Sequence, residues 1–194
     1  MGWIELMLIV AGISLDIFAA MECQGSLVQK VDKKQLSLIC LIVAVWQLIA
    51  LFIGHFLSGL LYRESDATDE FFIGCILAVV IFFCLGVRLL VKAVKNEKVF
   101  ERRNDKLELK RFIWMVGGTS FYTFMAGAAM GLLHMDFLLI LIFIIVFSVV
   151  FVIAGMYTGY HFGFEHKTKA YMIGTALLWI AGIDVVVRML NHAI

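Results

Sequence analysis

Residues 12–20 read G-I-S-L-D-I-F-A-A, an apolar stretch with one charged residue, Asp16, at its centre. The fold depends on what surrounds that carboxylate. If the stretch lies in a helix on a soluble surface, Asp16 is an ordinary solvated acid. If the helix crosses a bilayer, Asp16 lies thirteen residues past Trp3, about 20 Å into a hydrocarbon core of about 30 Å.

Composition decides between the two. Of the 194 residues, 63% are hydrophobic and none is proline, and the mean hydropathy is +1.00. A soluble domain averages roughly 45–50% apolar, so this chain has too few polar residues to cover itself in water. Its apolar runs are solid rather than alternating, which predicts membrane helices and excludes a barrel. The predicted fold class is an all-α integral membrane protein with six transmembrane helices. The spans are Trp3–Met21, Leu36–Tyr62, Phe71–Val91, Phe112–Leu133, Phe137–Gly163 and Tyr171–Leu190.

Charge orients the helices. Fourteen of the sixteen Lys and Arg residues fall in the one–two, three–four and five–six connections or at their edges, Arg88 and Lys92 included. Arg63 and Arg188 alone fall on the other side. The positive-inside rule then predicts both termini outside. The first run has no basic region and no small-residue cleavage site before it, so it reads as a retained helix. The four cysteines, Cys23, Cys40, Cys75 and Cys84, have no C-x-x-C spacing and read as reduced, buried small hydrophobes. That spacing also speaks against a membrane thiol oxidoreductase. The segment 95–111 carries basic residues at 98, 102, 106 and 110 and acids at 97, 101 and 105. It reads as a charged linker that could also meet lipid headgroups or a partner.

An internal echo organises the chain. Gly12, Ser14, Phe18 and Ala20 recur 106 residues later as Gly118, Ser120, Phe124 and Ala126. Gly74, Leu77 and Arg88 recur at an offset of 100 as Gly174, Leu177 and Arg188, and Gly54 finds its match in Gly155. Three helices duplicated after an odd number of crossings give an inverted repeat, an arrangement common in secondary transporters. The predicted division is a first repeat over 1–92, a linker over 93–111 and a second, inverted repeat over 112–194.

Intramembrane acids cost a few kcal/mol to insert and are usually paired or functional. Asp16 has no Lys or Arg within a turn or two in sequence. Its expected neighbours are the polar groups of the fourth helix, Thr119, Ser120, Tyr122 and Thr123, with Gln47 facing it from the second. Such oxygen donors suit a proton or a hard cation such as Mn²⁺ or Mg²⁺. The candidate ion ligands are Asp16, Gln47, Ser14, Ser120, Tyr122 and Asp184.

Other polar residues have structural explanations. Asp184 precedes Arg188 by four residues, so an ion pair along one helix explains both. Arg88 and Arg188 read as helix C-terminal cations. Glu5, Glu22 and Cys23 read as interfacial, the acids of 63–70 and the trio His134, Met135 and Asp136 as solvated turns, and His55 and His161 as packing residues. Gly127 with Gly131, and Gly155 with Gly159 and Gly163, form G-x-x-x-G faces for close helix approach.

Taken together, G-I-S-L-D-I-F-A-A resembles the first-helix signature of MntP-type manganese efflux pumps, six-helix relatives of the LysE-type exporters. V-W-Q-L-I-A-L-F-I-G-H-F-L-S-G at 45–59 resembles their second helix, and L-G-V-R-L-L at 85–90 the end of their third. T-S-F-Y-T-F-M-A-G at 119–127 falls where the family reads T-S-x-D-A-x-A-x-G, so Tyr122 stands in the place of a second intramembrane aspartate, and Cys23 in that of a glycine. The resemblance implies Mn²⁺ export with Asp16 handling the ion, by alternating access and without enzymatic activity. It also admits a relative that no longer transports, a membrane scaffold or partner subunit of the sporulation-associated type. No cofactor and no nucleic acid is expected. The expected partners are the bilayer of the bacterial cytoplasmic membrane, a metal-ion substrate, and a second copy or another protein at 95–111.

Overall fold

A computed structural model describes residues 3–28, 33–61, 67–95, 109–133, 136–163 and 165–193. These form six helices: α1 (Trp3–Leu27), α2 (Lys33–Leu61), α3 (Ala67–Lys95), α4 (Leu109–Leu132), α5 (Phe137–Phe162) and α6 (Lys167–Ala193). No strand occurs among the described residues. Several helices run past the apolar spans, because the connections hold no proline to stop them. Residues 96–108, most of the charged linker, lie outside the described residues, as do 62–66, His134 and Met135. So do the side chains of Glu5, 67–70 and Thr119.

Five helices are long and apolar enough to cross a membrane; α4 is not among them. At 24 residues, or about 36 Å, α4 has the length. The run G-G-T-S-F-Y-T at 117–123 lowers its hydropathy. The outer surface is what a bilayer requires, with Phe52, Phe56, Val94, Leu138 and Ile183 all turned outward. α5 is apolar on every side, and α1 is the most enclosed of the five spans.

The helices interleave. α1 packs on α5 and α6, α2 on α4 and α5, α3 on α6 and α4, and α1 also touches α4. Each of these pairings joins one of the first three helices to one of the last three. Exchanging α1 with α4, α2 with α5 and α3 with α6 returns the same set.

Lipid is as apolar as a leucine side chain, so close packing rather than hydrophobic expulsion holds such helices together. The two closest crossings are built on glycine. A Cβ at Gly155 of α5 would stand 2.5 Å from the Phe18 carbonyl oxygen of α1, and one at Gly127 of α4 would stand 2.8 Å from that of Leu51 in α2. Gly163, expected to extend the α5 face, instead ends the helix at φ 73°, its N–H donating to the Gly159 carbonyl at 3.0 Å.

The larger core draws on all six helices, α2 through Leu51 alone, with Ile9, Phe82, Tyr122 and Leu178 fully enclosed. A smaller one joins Ile17 and Met21 of α1 to Val43 of α2 and Val152 of α5. The four cysteines are free, but only Cys75 is buried; Cys23 and Cys40 are half-buried and Cys84 faces outward. In a bilayer an outward thiol still sits among hydrocarbon, so the small-hydrophobe role survives where burial fails.

Candidate functional site

Asp16 is wholly buried on α1. Its Oδ1 accepts a hydrogen bond from the Lys92 ammonium of α3 at 2.8 Å, across 76 residues of sequence. The Lys92 side chain keeps 35% of its exposure while that of Asp16 keeps 1%, so the lysine reaches inward from a partly open position. Its Nζ lies 4.6 Å from the centre of the Tyr122 ring and 5.8 Å from that of Tyr171. Arg88, one helical turn earlier on α3, places its guanidinium carbon 4.5 Å from the Phe121 ring and 5.0 Å from Tyr122. Asp16 is also within electrostatic reach of Arg88 and of the Tyr122 phenol. One carboxylate, two cations and a buried phenol thus meet where α1, α3 and α4 converge.

Beside this cluster the Thr123 hydroxyl donates to Gln47 Oε1 at 2.5 Å, tying α4 to α2. Ser14, Ser120, Gln47 and Thr123 are all buried. Asp16 Oδ2, Gln47 Nε2, the Tyr122 hydroxyl and Ser148 Oγ are buried without a hydrogen-bond partner. Groups so placed in a membrane interior are costly unless water, an ion or a moving neighbour satisfies them.

The sequence candidates therefore divide. Tyr122 joins Asp16 at the cluster, while Gln47 is held by Thr123, the residue that follows Tyr122 on α4. Asp184 does not. Its carboxylate stands 3.9 Å from Arg188, as the spacing predicts. Gly174 packs against Gly12 and Leu15, and Asp184 lies ten residues further along α6, about 15 Å away. Arg88 is not a helix-terminal cation: α3 continues to Lys95, and Arg88 stays exposed with its guanidinium over the Phe121 and Tyr122 rings. Glu22 is not interfacial either. It is fully buried, with Oε1 accepting the His166 backbone N–H at 2.8 Å. His55 packs edge-on against Phe137 at 4.8 Å, and His161 against Tyr160 at 5.2 Å.

Lys92 is the site residue that sequence reasoning counted among loop cations. The available signal was the i,i+4 spacing of Arg88 and Lys92 within the apolar L-G-V-R-L-L-V-K-A-V. That spacing puts both on one helical face.

Chemically, the cluster offers oxygen donors alone and a single negative charge. No group of three or more His, Cys, Asp or Glu side chains suited to a metal occurs among the described residues. A hard cation could use the Asp16 carboxylate with neutral oxygens, but Lys92 already holds one of its two oxygens.

Interleaved apolar helices around a buried charge centre define a multi-pass membrane protein with a polar interior. Within that class the chain belongs to the manganese efflux pump family: residues 30–186 match the family model described as "Putative manganese efflux pump". The matched stretch takes in α2 to α5 and most of α6 and begins after α1, which carries Asp16. The family is one of transporters rather than enzymes. No curated protein and no solved structure matches the chain.

Proposed function

We propose that this protein is a secondary efflux transporter for a small cation, with Mn²⁺ the first substrate to test and Asp16 the central ion- or proton-handling acid. The carrying observation is Asp16 itself, wholly buried with one oxygen unpartnered. Packing alone would be served by a serine. The Tyr122 hydroxyl, Gln47, Ser14 and Ser120 are the neutral oxygens that would accompany Asp16 around a cation. Asp184, held by Arg188 elsewhere on α6, is left out of that set.

The mechanism proposed is alternating access between two inverted three-helix repeats. Three features support it. The helix pairings are preserved when the two halves are exchanged. Asp16 and Tyr122 lie 106 residues apart, the offset of the repeated glycine and serine. The two glycine crossings, α1 on α5 and α4 on α2, are also related by that exchange. Two rigid units meeting at a polar centre could rock about it, opening it to each side in turn. With both termini outside, the end of α3 near Lys92 faces the cytoplasm.

The Lys92 contact favours a second reading, a non-transporting relative in which a permanent ion pair has replaced the ion. Cellular manganese separates the two. In a manganese-sensitive bacterium, wild type should lower cell manganese and Asp16→Asn at equal membrane level should not. Equal manganese in both strains and the empty control would reject Mn²⁺ export.

A further inference from the structure

We propose that Lys92 is a tethered cation that stands in for the substrate ion at Asp16 when no ion is bound, and that the substrate must displace it to bind. The inference rests on the transporter reading and gives its site a specificity-determining residue.

An unpaired carboxylate inside a membrane is a severe burden. A carrier whose ion-handling acid is buried therefore needs that charge neutralised in every state, by a cation beside it or by a proton on it. The Lys92 ammonium is such a cation, at 2.8 Å from Oδ1. A dication added without moving it would leave a single carboxylate facing three positive charges, with the Arg88 guanidinium also within reach. Coulomb repulsion at such separations in a poorly screened interior is large. Ion and ammonium are therefore mutually exclusive at Asp16.

The surroundings give the displaced ammonium somewhere to go. Lys92 is three residues from the end of α3, and a lysine stem is long and flexible enough to carry its charge to an interface. Near its present position it faces the Tyr122 and Tyr171 rings at 4.6 and 5.8 Å, which attract a cation without adding negative charge. A carboxylate in place of Tyr122 would bind the ammonium more strongly and compete with Asp16 for it. Tyr122 holds Lys92 near the site yet leaves it free to depart. Arg88 differs in place: it lies exposed two turns inside the helix end, with its guanidinium over two rings.

The test reads Lys92 directly. The full-length protein in detergent is treated with a small acetylating reagent, and Lys92 modification is followed by peptide mass spectrometry. The protein is measured ion-free, with MnCl₂ and with MgCl₂ or CaCl₂, and Asp16→Asn is measured ion-free and with MnCl₂. A tether engaged nine-tenths of the time slows Lys92 labelling about tenfold. Asp16→Asn should remove that protection, and Mn²⁺ should remove it in the wild type with no further gain in the variant. An unchanged rate in folded Asp16→Asn overturns the proposal whatever the ion does. Protection that no cation relieves in the wild type also overturns it, and this arm requires no variant. Release by Mg²⁺ or Ca²⁺ but not Mn²⁺ supports the tether and makes manganese the part that fails.

Discussion

The Glu22 carboxylate of α1 accepts the His166 backbone N–H at 2.8 Å, joining the last turns of one helix to the start of α6. Helix N-termini carry unsatisfied N–H groups and a partial positive charge, which favour a buried carboxylate there, and Lys167 beside it adds a full positive charge within electrostatic reach. The His166 ring stands 3.8 Å from the same oxygen. Glu22→Ala is expected to cost about 1–3 kcal/mol by leaving a buried donor unmade. Glu22→Gln keeps an acceptor oxygen and should lose less. Thermal unfolding in detergent measures both, and equal midpoints for the two variants would refute the cap.

The glycine crossings give a second prediction with its own control. A methyl at Gly155 must push against the Phe18 backbone, and one at Gly127 against Leu51. Backbone yields little, so Gly155→Ala and Gly127→Ala should each destabilise by about 1–3 kcal/mol. Gly118 has nothing within 4 Å of its Cβ position. Gly118→Ala should be neutral or slightly stabilising in the same assay.

Thr123 and Gln47 should behave as a unit. Thr123→Val strands Gln47 Oε1, and Gln47→Leu strands the hydroxyl, each costing about 1–3 kcal/mol. The double variant removes both polar groups and should cost less than the sum of the two. A double-mutant cycle on unfolding midpoints reads the coupling, and strict additivity would show that the bond contributes nothing.

The fold was legible because bilayer chemistry is written residue by residue. Apolar runs place all six helices, and the span expected for α5 overruns its last residue, Phe162, by one. The ends of α1 and α3 were drawn short because helix continues through Cys23, Gln24 and Lys92, where hydropathy stops being informative. Asp16 stood out for the same reason that the helices did. Its partner did not, because Lys92 lies 76 residues away and its charge fits the inside-positive pattern equally well. A lysine near a membrane surface and a lysine turned into the protein have the same local sequence. Only the meeting of α1, α3 and α4 distinguishes them. Glu22 was hidden likewise, since the N–H it satisfies belongs to a distant helix.

Asp184 tests whether every membrane acid here handles the ion. Its carboxylate is partly exposed and 3.9 Å from Arg188, a pairing worth about 0.2–0.5 kcal/mol on a helix surface. Asp184→Asn should therefore leave both stability and cellular manganese near wild-type values. A rise to the level of Asp16→Asn would bring Asp184 into the transport path.

Tyr122 decides whether a site with one carboxylate can serve a divalent cation. Its hydroxyl has no hydrogen-bond partner, while its ring lies under both Lys92 and Arg88. Tyr122→Phe keeps the ring and loses one of the neutral oxygens proposed to accompany the cation, so stability should hold while manganese export weakens. Tyr122→Asp sets two carboxylates against two cations and frees Asp16 from being the only negative charge. The lost ring leaves a cavity, so the comparison requires equal membrane levels. Under those conditions Tyr122→Asp should lower cellular manganese at least as far as the wild type. If Tyr122→Asp alone lowers it, the scaffold can still carry Mn²⁺, and the natural residue has turned it toward another substrate or toward no transport at all. If Tyr122→Phe abolishes export, the phenol oxygen itself meets the ion, and its lack of a hydrogen-bond partner marks a ligand position.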